Sequence, residues 1–138
     1  MRNVFFIKDF HKAVNSNNQI IFICDHATNI IPKKFKNLGL EKKFMESHIA
    51  FDIGAKELTV RLAEKLGQTC FLSNFSRLVI DPNRNLNDSG LIVPISFGIK
   101  IPGNLNIDDK QRNFRVKNFY EPYHSNLLRL LSSKTKLF

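Results

Sequence analysis

The chain contains two cysteines, five prolines and six glycines in 138 residues, and each scarcity removes a class of protein. Two thiols, Cys24 and Cys70, cannot form a disulfide framework, and in a chain without an export signal they read as reduced, buried side chains. Little proline and glycine beside 43% hydrophobic residues excludes a low-complexity or mostly disordered chain. No apolar run approaches the roughly 20 residues needed to span a bilayer. The N-terminal Val4-Phe5-Phe6-Ile7 is cut short by Lys8 and Asp9, before it reaches the length of a secretory core. A single cytoplasmic domain over residues 1–138, with no membrane partner, is the resulting expectation.

Acidic residues are scarce too, 12 against 21 Lys and Arg, giving a net charge of +9. Such an excess suits phosphate-rich partners, which gain from counterion release. Here, however, Lys33-Lys34-Phe35-Lys36, Lys42-Lys43 and Lys134-Thr135-Lys136 are far apart and interleaved with apolar residues. They read as a solvated surface rather than a binding stripe, so no nucleic-acid partner is expected. The chain also lacks a Gly-rich phosphate loop, a nucleophile elbow and a Cys-x-x-Cys pair, which sets those chemistries aside.

What is present alternates between strand-like and helix-like patterns. Gln19 to Cys24 is a continuous apolar run that suits a strand buried on both faces of a parallel sheet. It ends in Asp25-His26, with Thr28 and Asn29 close behind, at the strand end where ligands gather in open α/β sheets. Leu40 to Ser47 predicts a short helix with Phe44 inward. A clearer one starts at Asp52 with Ala55, Leu58, Thr59, Leu62, Ala63 and Leu66 on one face, and stops at Gly67. Thr69–Leu72 and Arg77–Ile80 predict paired strands, the second leading into Asp81-Pro82-Asn83-Arg84. Residues 85–106 are broken by Gly90, Pro94, Gly98, Pro102 and Gly103 and read as a long surface loop. Asp108 opens a last amphipathic stretch bearing Phe114, Phe119, Tyr123, Leu127 and Leu131, with a break or kink at Pro122. The fold class is α/β: a mixed, partly parallel sheet with flanking helices.

Several polar residues admit two readings. His26 suits a neutral imidazole ligand oriented by a neighbouring carboxylate, or a hydrogen-bonded structural histidine. His48 and Asp52, four apart, project together toward a metal if helical; otherwise Asp52 is a helix N-cap. Arg77 and Arg84 are suited to carboxylates or a developing oxyanion, or are simply solvated. Tyr120-Glu121-Pro122-Tyr123-His124 has acid–base types that packing on a helix also explains.

Five segments in order resemble the N-formylglutamate amidohydrolase family: Cys24-Asp25-His26-Ala27-Thr28-Asn29, His48-Ile49-Ala50-Phe51-Asp52-Ile53-Gly54-Ala55, Ser76 through Arg84, Ile101-Pro102-Gly103-Asn104, and Tyr120-Glu121-Pro122-Tyr123-His124. The resemblance runs from about Ile20 to about Leu131, and Ser-Arg-Leu-Val-Ile-Asp-Pro-Asn-Arg is its most specific part. It implies a fold similar to zinc carboxypeptidases (phosphorylase/hydrolase-like) and hydrolysis of an amide on an acidic amino acid, N-formyl-L-glutamate giving formate and glutamate. By that resemblance zinc is the cofactor, His26 is a metal ligand, and Asp52 is the acidic ligand ahead of Asp25. Arg77 would polarise the scissile carbonyl, and Asn83 and Arg84 would hold the carboxylate of a small N-acyl amino acid. Family members look much longer, and their remainder carries a further histidine and catalytic acids. The resemblance therefore covers the N-terminal part of such an enzyme and implies a site completed by a complementing chain or an unusual oligomer, or else an inactive remnant that at most binds acidic small molecules. A partial α/β domain of this kind is also expected to expose apolar surface.

Overall fold

The computed structural model describes residues 3–10 and 20–134. Its centre is a three-stranded mixed sheet of β1 (Phe5–Asp9), β2 (Ile21–Cys24) and β3 (Thr69–Ser73) in the order β1-β3-β2. β3 pairs parallel to β2 and antiparallel to β1. Every residue of β3 is buried, because it is flanked by strands on both edges and covered on both faces. That burial is what an uninterrupted apolar strand requires.

α2 (Ala55–Lys65) forms the crossover between β2 and β3 and covers one face, where Ala63 packs with Cys24, Cys70 and Leu72. The other face carries α4 (Glu121–Lys134), whose Tyr123 packs with Phe71, Phe75, Val79 and Phe119. Phe5 stacks on Phe71 at 5.0 Å, and Tyr123 meets the same ring edge-on, so one aromatic column ties β1, β3 and α4 together. Cys24 and Cys70 are buried free thiols.

Several expectations are corrected. Among the described residues β2 is an edge strand, with Ile23 exposed, so its apolar run does not report burial on both faces. α2 begins at Ala55, with Gly54 as N-cap and no side-chain cap; Asp52 is occupied elsewhere. Leu58, Leu62 and Leu66 are exposed, and Ala63 is the buried residue of that helix. Arg77–Ile80 is not a strand. Residues 77–79 form a turn in which Leu78, Val79 and Ile80 are nevertheless fully buried. A buried turn must have its backbone satisfied without a ladder, and here side chains do it: Asn104 Nδ2 donates to Leu78 O and Arg115 Nη1 to Val79 O. The predicted loop 85–106 is not wholly superficial. Leu91, Ile101 and Asn104 are buried, and it contains the hairpin β4 (Ile95–Ser96) and β5 (Ile99–Lys100). Phe97 and Gly98 both have positive φ, as a two-residue hairpin turn demands.

The predicted short helix is reduced to α1 (Lys42–Met45). At the other end, Asp108 caps α3 (Asp109–Arg115) by accepting from Gln111 N at 2.7 Å. A π-helical turn, Val116–Tyr120, joins α3 to α4 immediately before Pro122. Proline disrupts the i→i−4 ladder, and a single wide turn absorbs the lost register.

The Ile101-Pro102-Gly103-Asn104 segment owes its glycine to a close backbone approach: a Cβ on Gly103 would lie 2.9 Å from Leu38 Cα and 3.2 Å from its carbonyl carbon. Backbone atoms cannot swing aside, so Gly103→Ala is expected to cost about 1–3 kcal/mol by overpacking. Gly98→Asn, in open space at a φ that asparagine tolerates, is expected to be near neutral. Urea unfolding of the two variants, compared by midpoint at unchanged slope, checks both.

Candidate functional site

The site forms where the chain leaves β2 and β3. Ala27 N donates to Ser73 Oγ, Ser76 Oγ donates to Ala50 O and Asp52 N to His26 O. These three bonds fasten the segments carrying residues 25–30, 50–52 and 76–81 to one another. His26, Asp52, Arg77 and Asp81 converge there although they are widely separated in sequence.

His26 is buried and bracketed. Its Nε2 lies 2.7 Å from Asp81 Oδ1, and its Nδ1 lies 3.2 Å from Asp52 Oδ2 and 3.1 Å from Arg77 Nη1. Asp81, with its side chain only 4% exposed, also accepts from Arg77 Nη2 at 2.9 Å and from Asn83 N at 2.9 Å. A carboxylate only accepts, so in the neutral imidazole Nε2–H donates to Asp81 and the Nδ1 lone pair faces Arg77 and Asp52. This is how a ligating histidine is ordinarily oriented by a carboxylate on its far nitrogen. Burial opposes a charge on His26, but the hydrogen bond and charge of Asp81 outweigh it and raise its pKa above the ordinary value. Burial likewise opposes ionisation of Asp81, and the His26 bond, the Asn83 N–H and Arg77 together hold its carboxyl below the usual range.

The neighbouring polar residues divide into two groups. Asp25, adjacent to His26, turns toward α4 and accepts a hydrogen bond from Tyr123 Oη. Burial and this bond raise the Tyr123 pKa. His48 does not join Asp52: residues 48–50 form a turn rather than a helix, and the His48 ring packs edge-on against Phe97 at 4.7 Å. Asn29 is occupied in donating to Met45 O.

Asn83 and Arg84 lie beyond the His26 cluster, on an open cleft of about 430 Å³ shared with Pro82, Asn85, Asp88, Tyr120 and His124. Arg84 is half-exposed and 3.5 Å from Asp88. The junction of the π-helical turn and α4 clamps this loop: Tyr120 Oη donates to Arg84 O at 2.8 Å, and His124 Nε2 lies 3.0 Å from Pro82 O. Through Asn83 N, the loop is directly tied to Asp81.

Sequence reasoning brought His26, Asp52 and Arg77 forward and the structure places them together. It left Asp81 without a role, although the Arg77–Asp81 spacing of i, i+4 and the cluster of polar residues after Ile80 were visible signals. Among the described residues no group of three His, Cys, Asp or Glu is disposed to hold a metal ion. His26 Nδ1 and Asp52 do converge as two donors, one fewer than the three protein ligands a catalytic zinc usually takes.

These features define a mixed α/β domain with a His–Asp–Arg cluster at the carboxyl end of its sheet. The N-formylglutamate amidohydrolase family model matches residues 18–138, and the chain belongs to that family. It is also similar to the crystal structure of gene product Atu2144 from Agrobacterium tumefaciens, with a TM-score of 0.88 and 28% identity, over 96% of this chain and 51% of that one. The chain thus spans about half the length of this solved relative. The comparison with curated proteins finds no match. No described helix is long and apolar enough to cross a membrane.

Proposed function

We propose that this chain carries part of an amidohydrolase site that cleaves N-formyl-L-glutamate, or a similar N-acyl derivative of an acidic amino acid, on a fold related to the zinc carboxypeptidases. Water adds to the formyl carbon, the C–N bond breaks, and the amine nitrogen leaves with a proton, giving formate and glutamate. The observation supporting this most directly is His26, fixed by Asp81 so that its other nitrogen faces Asp52 and Arg77 in a chain of the amidohydrolase family.

His26 and Asp52 would supply two donors to a zinc ion, the third coming from outside the described residues. When bound, the ion lowers the pKa of its water to about 7 and so provides hydroxide. Arg77 is tied to Asp81 through Nη2, while its Nη1, 3.1 Å from His26 Nδ1 and 3.5 Å from Asp52, is the arm that would turn toward the carbonyl oxygen once His26 Nδ1 serves as a ligand. Arg84, on the adjoining cleft with Asn83, offers a guanidinium fork to the substrate carboxylate.

Zinc content and formate release measured on the purified chain, with His26→Ala as the control, test this reading. Formate release abolished by His26→Ala, with loss of bound zinc, is the expected result if the chain acts alone or with a partner present. Zinc-independent turnover, or turnover indifferent to His26, would sink it. The two-donor set favours a second reading, an inactive domain binding acidic amino acids at Arg84. Glutamate binding that Arg84→Ala removes, with no turnover under any complementation, would select that one.

A further inference from the structure

Val4, Ile30, Ile31, Pro32 and Phe119 wall a second cavity, of about 360 Å³, between the start of β1, the chain that follows His26 and the π-helical turn. Its size is that of a small-molecule site. It shares no lining residue with the cleft at Asn83 and Arg84, nor with the His26 cluster. Two polar features of this cavity are left unmet by the protein. The first is Asn74, which lines it and is 8% exposed. Its backbone N–H donates to Val4 O and its Nδ2 to Asn3 O at 2.6 Å, tying the start of β1 to the end of β3. Only the NH₂ can face that carbonyl, so the orientation of the amide is fixed. Oδ1 is left on the other side, a buried acceptor with no hydrogen-bond partner. Native proteins match nearly all such acceptors. The second feature is charge. Lys33 and Lys34 line the cavity, no Asp or Glu does, and among the described residues neither ammonium is in an ion pair. Lys34 Nζ stands 3.5 Å from the centre of the Phe114 ring and 5.5 Å from that of Phe119. The aromatic faces hold the cation there without neutralising it.

We propose that this cavity is a second ligand site, for a small monocarboxylate with an apolar body and an N–H donor. The body lies against Val4, Ile30, Ile31 and Phe119, the N–H meets Asn74 Oδ1, and the carboxylate meets Lys33 and Lys34. The site is separate from the proposed hydrolysis and does not depend on it. It does adjoin the same framework. Ser76 N donates to Ile30 O, a bond that ties the chain following His26 to the chain leading into Arg77 and Asp81. A ligand touching both Ile30 and Asn74 bears on that tie.

Indole-3-propionate has all three features, and because the chain has no tryptophan the fluorescence of its indole reports binding. Saturable binding to the chain at or below about 1 mM is expected for a ligand of this size. Two relatives of the probe each remove one feature. Benzothiophene-3-propionate lacks the N–H and, followed by displacement, should bind about tenfold more weakly. That comparison reads Asn74 without altering the residue that ties β1 to β3. Indole-3-propionamide lacks the charge and should bind about fivefold more weakly. Lys33→Gln with Lys34→Gln should weaken the acid by about the same fivefold factor and leave the amide unchanged. Val4→Phe, which fills the cavity, should remove both while leaving the circular dichroism of the chain as it was. With the acid bound, hydrogen exchange should slow at residues 30–34 and 74–76. Absence of saturable binding would overturn the proposal, and so would equal affinity for the three probes, which is simple apolar adsorption. Binding lost in Arg84→Gln but kept in the lysine pair would place the probe in the Arg84 cleft and remove the second site. Binding as described, by a chain that hydrolyses nothing, would leave this site standing and remove only the amidohydrolase reading.

Discussion

Asp81→Ala is expected to destabilise the chain by about 3 kcal/mol and to abolish whatever zinc binding and hydrolysis the His26 site supports. The side chain accepts from three donors, His26 Nε2, Arg77 Nη2 and Asn83 N, in an enclosed position. Removing one partner of a buried, charge-assisted set leaves the others desolvated and unmatched, and such losses run at about 3–5 kcal/mol. Arg77 retains some solvent access and Asp52 as a second partner, which puts the expectation at the lower end. The consequence for the site is more specific than lost stability. Without Asp81 the Nε2–H of His26 loses its acceptor, leaving Arg77 alone to favour that tautomer through Nδ1, and the Asn83–Arg84 loop loses its tie to the cluster. Asp81→Asn keeps the size and one acceptor but faces His26 and Arg77 with no charge, so it should retain most of the stability and still lose zinc affinity by about 10–100-fold. Urea unfolding read beside zinc titration separates the two effects. An Asp81→Asn chain that binds zinc as the parent does would remove Asp81 from the site.

The parts legible in the sequence were those where a local pattern and the tertiary environment agree. Thr69–Leu72 reads as a strand and lies in β3, buried along its whole length. Asp108 reads as a helix start and caps α3. Errors arose where the same pattern serves another environment. Gln19–Cys24 has the composition of an interior strand, yet interior position depends on a neighbour, and none pairs with the outer side of β2 among the described residues. Arg77–Ile80 is as apolar as a strand because it is as buried as one, but its carbonyls are satisfied by Asn104 and Arg115, residues more than twenty positions away. β1 was invisible for a related reason: its short apolar run becomes a strand only by pairing with β3. At the site, residue type found His26 and Arg77, while the choice of Asp52 over Asp25 depended on the family resemblance. The structural difference between these two acids lies in Tyr123, a distant residue that claims Asp25.

Arg115→Leu should be the most damaging single change outside the site, at about 3–5 kcal/mol. Arg115 is 3% exposed, and burial lowers its pKa to about 10, so it remains charged at neutral pH. Its Nη1 donates to Val79 O and Asn104 Oδ1, each at 2.8 Å, and its Nη2 to Gly103 O at 3.1 Å. Asn104 in turn donates to Leu78 O and Val93 O. The pair thus provides hydrogen bonds to four buried or partly buried carbonyls that belong to no ladder, and it holds the turn from which Arg77 and Asp81 project. Leucine offers similar packing against Phe35, whose ring lies 4.9 Å from the guanidinium carbon, but leaves Val79 O, Gly103 O and Asn104 without this donor. Lysine keeps the charge and loses the fork that reaches three acceptors in different directions, so Arg115→Lys should recover only part of the loss. Because the turn carries the site, a loosened Arg115 should also raise hydrogen exchange at residues 77–81 before the sheet is affected. Exchange rates that rise uniformly across β3 and the turn would show instead that Arg115 supports the whole core and has no particular hold on the site.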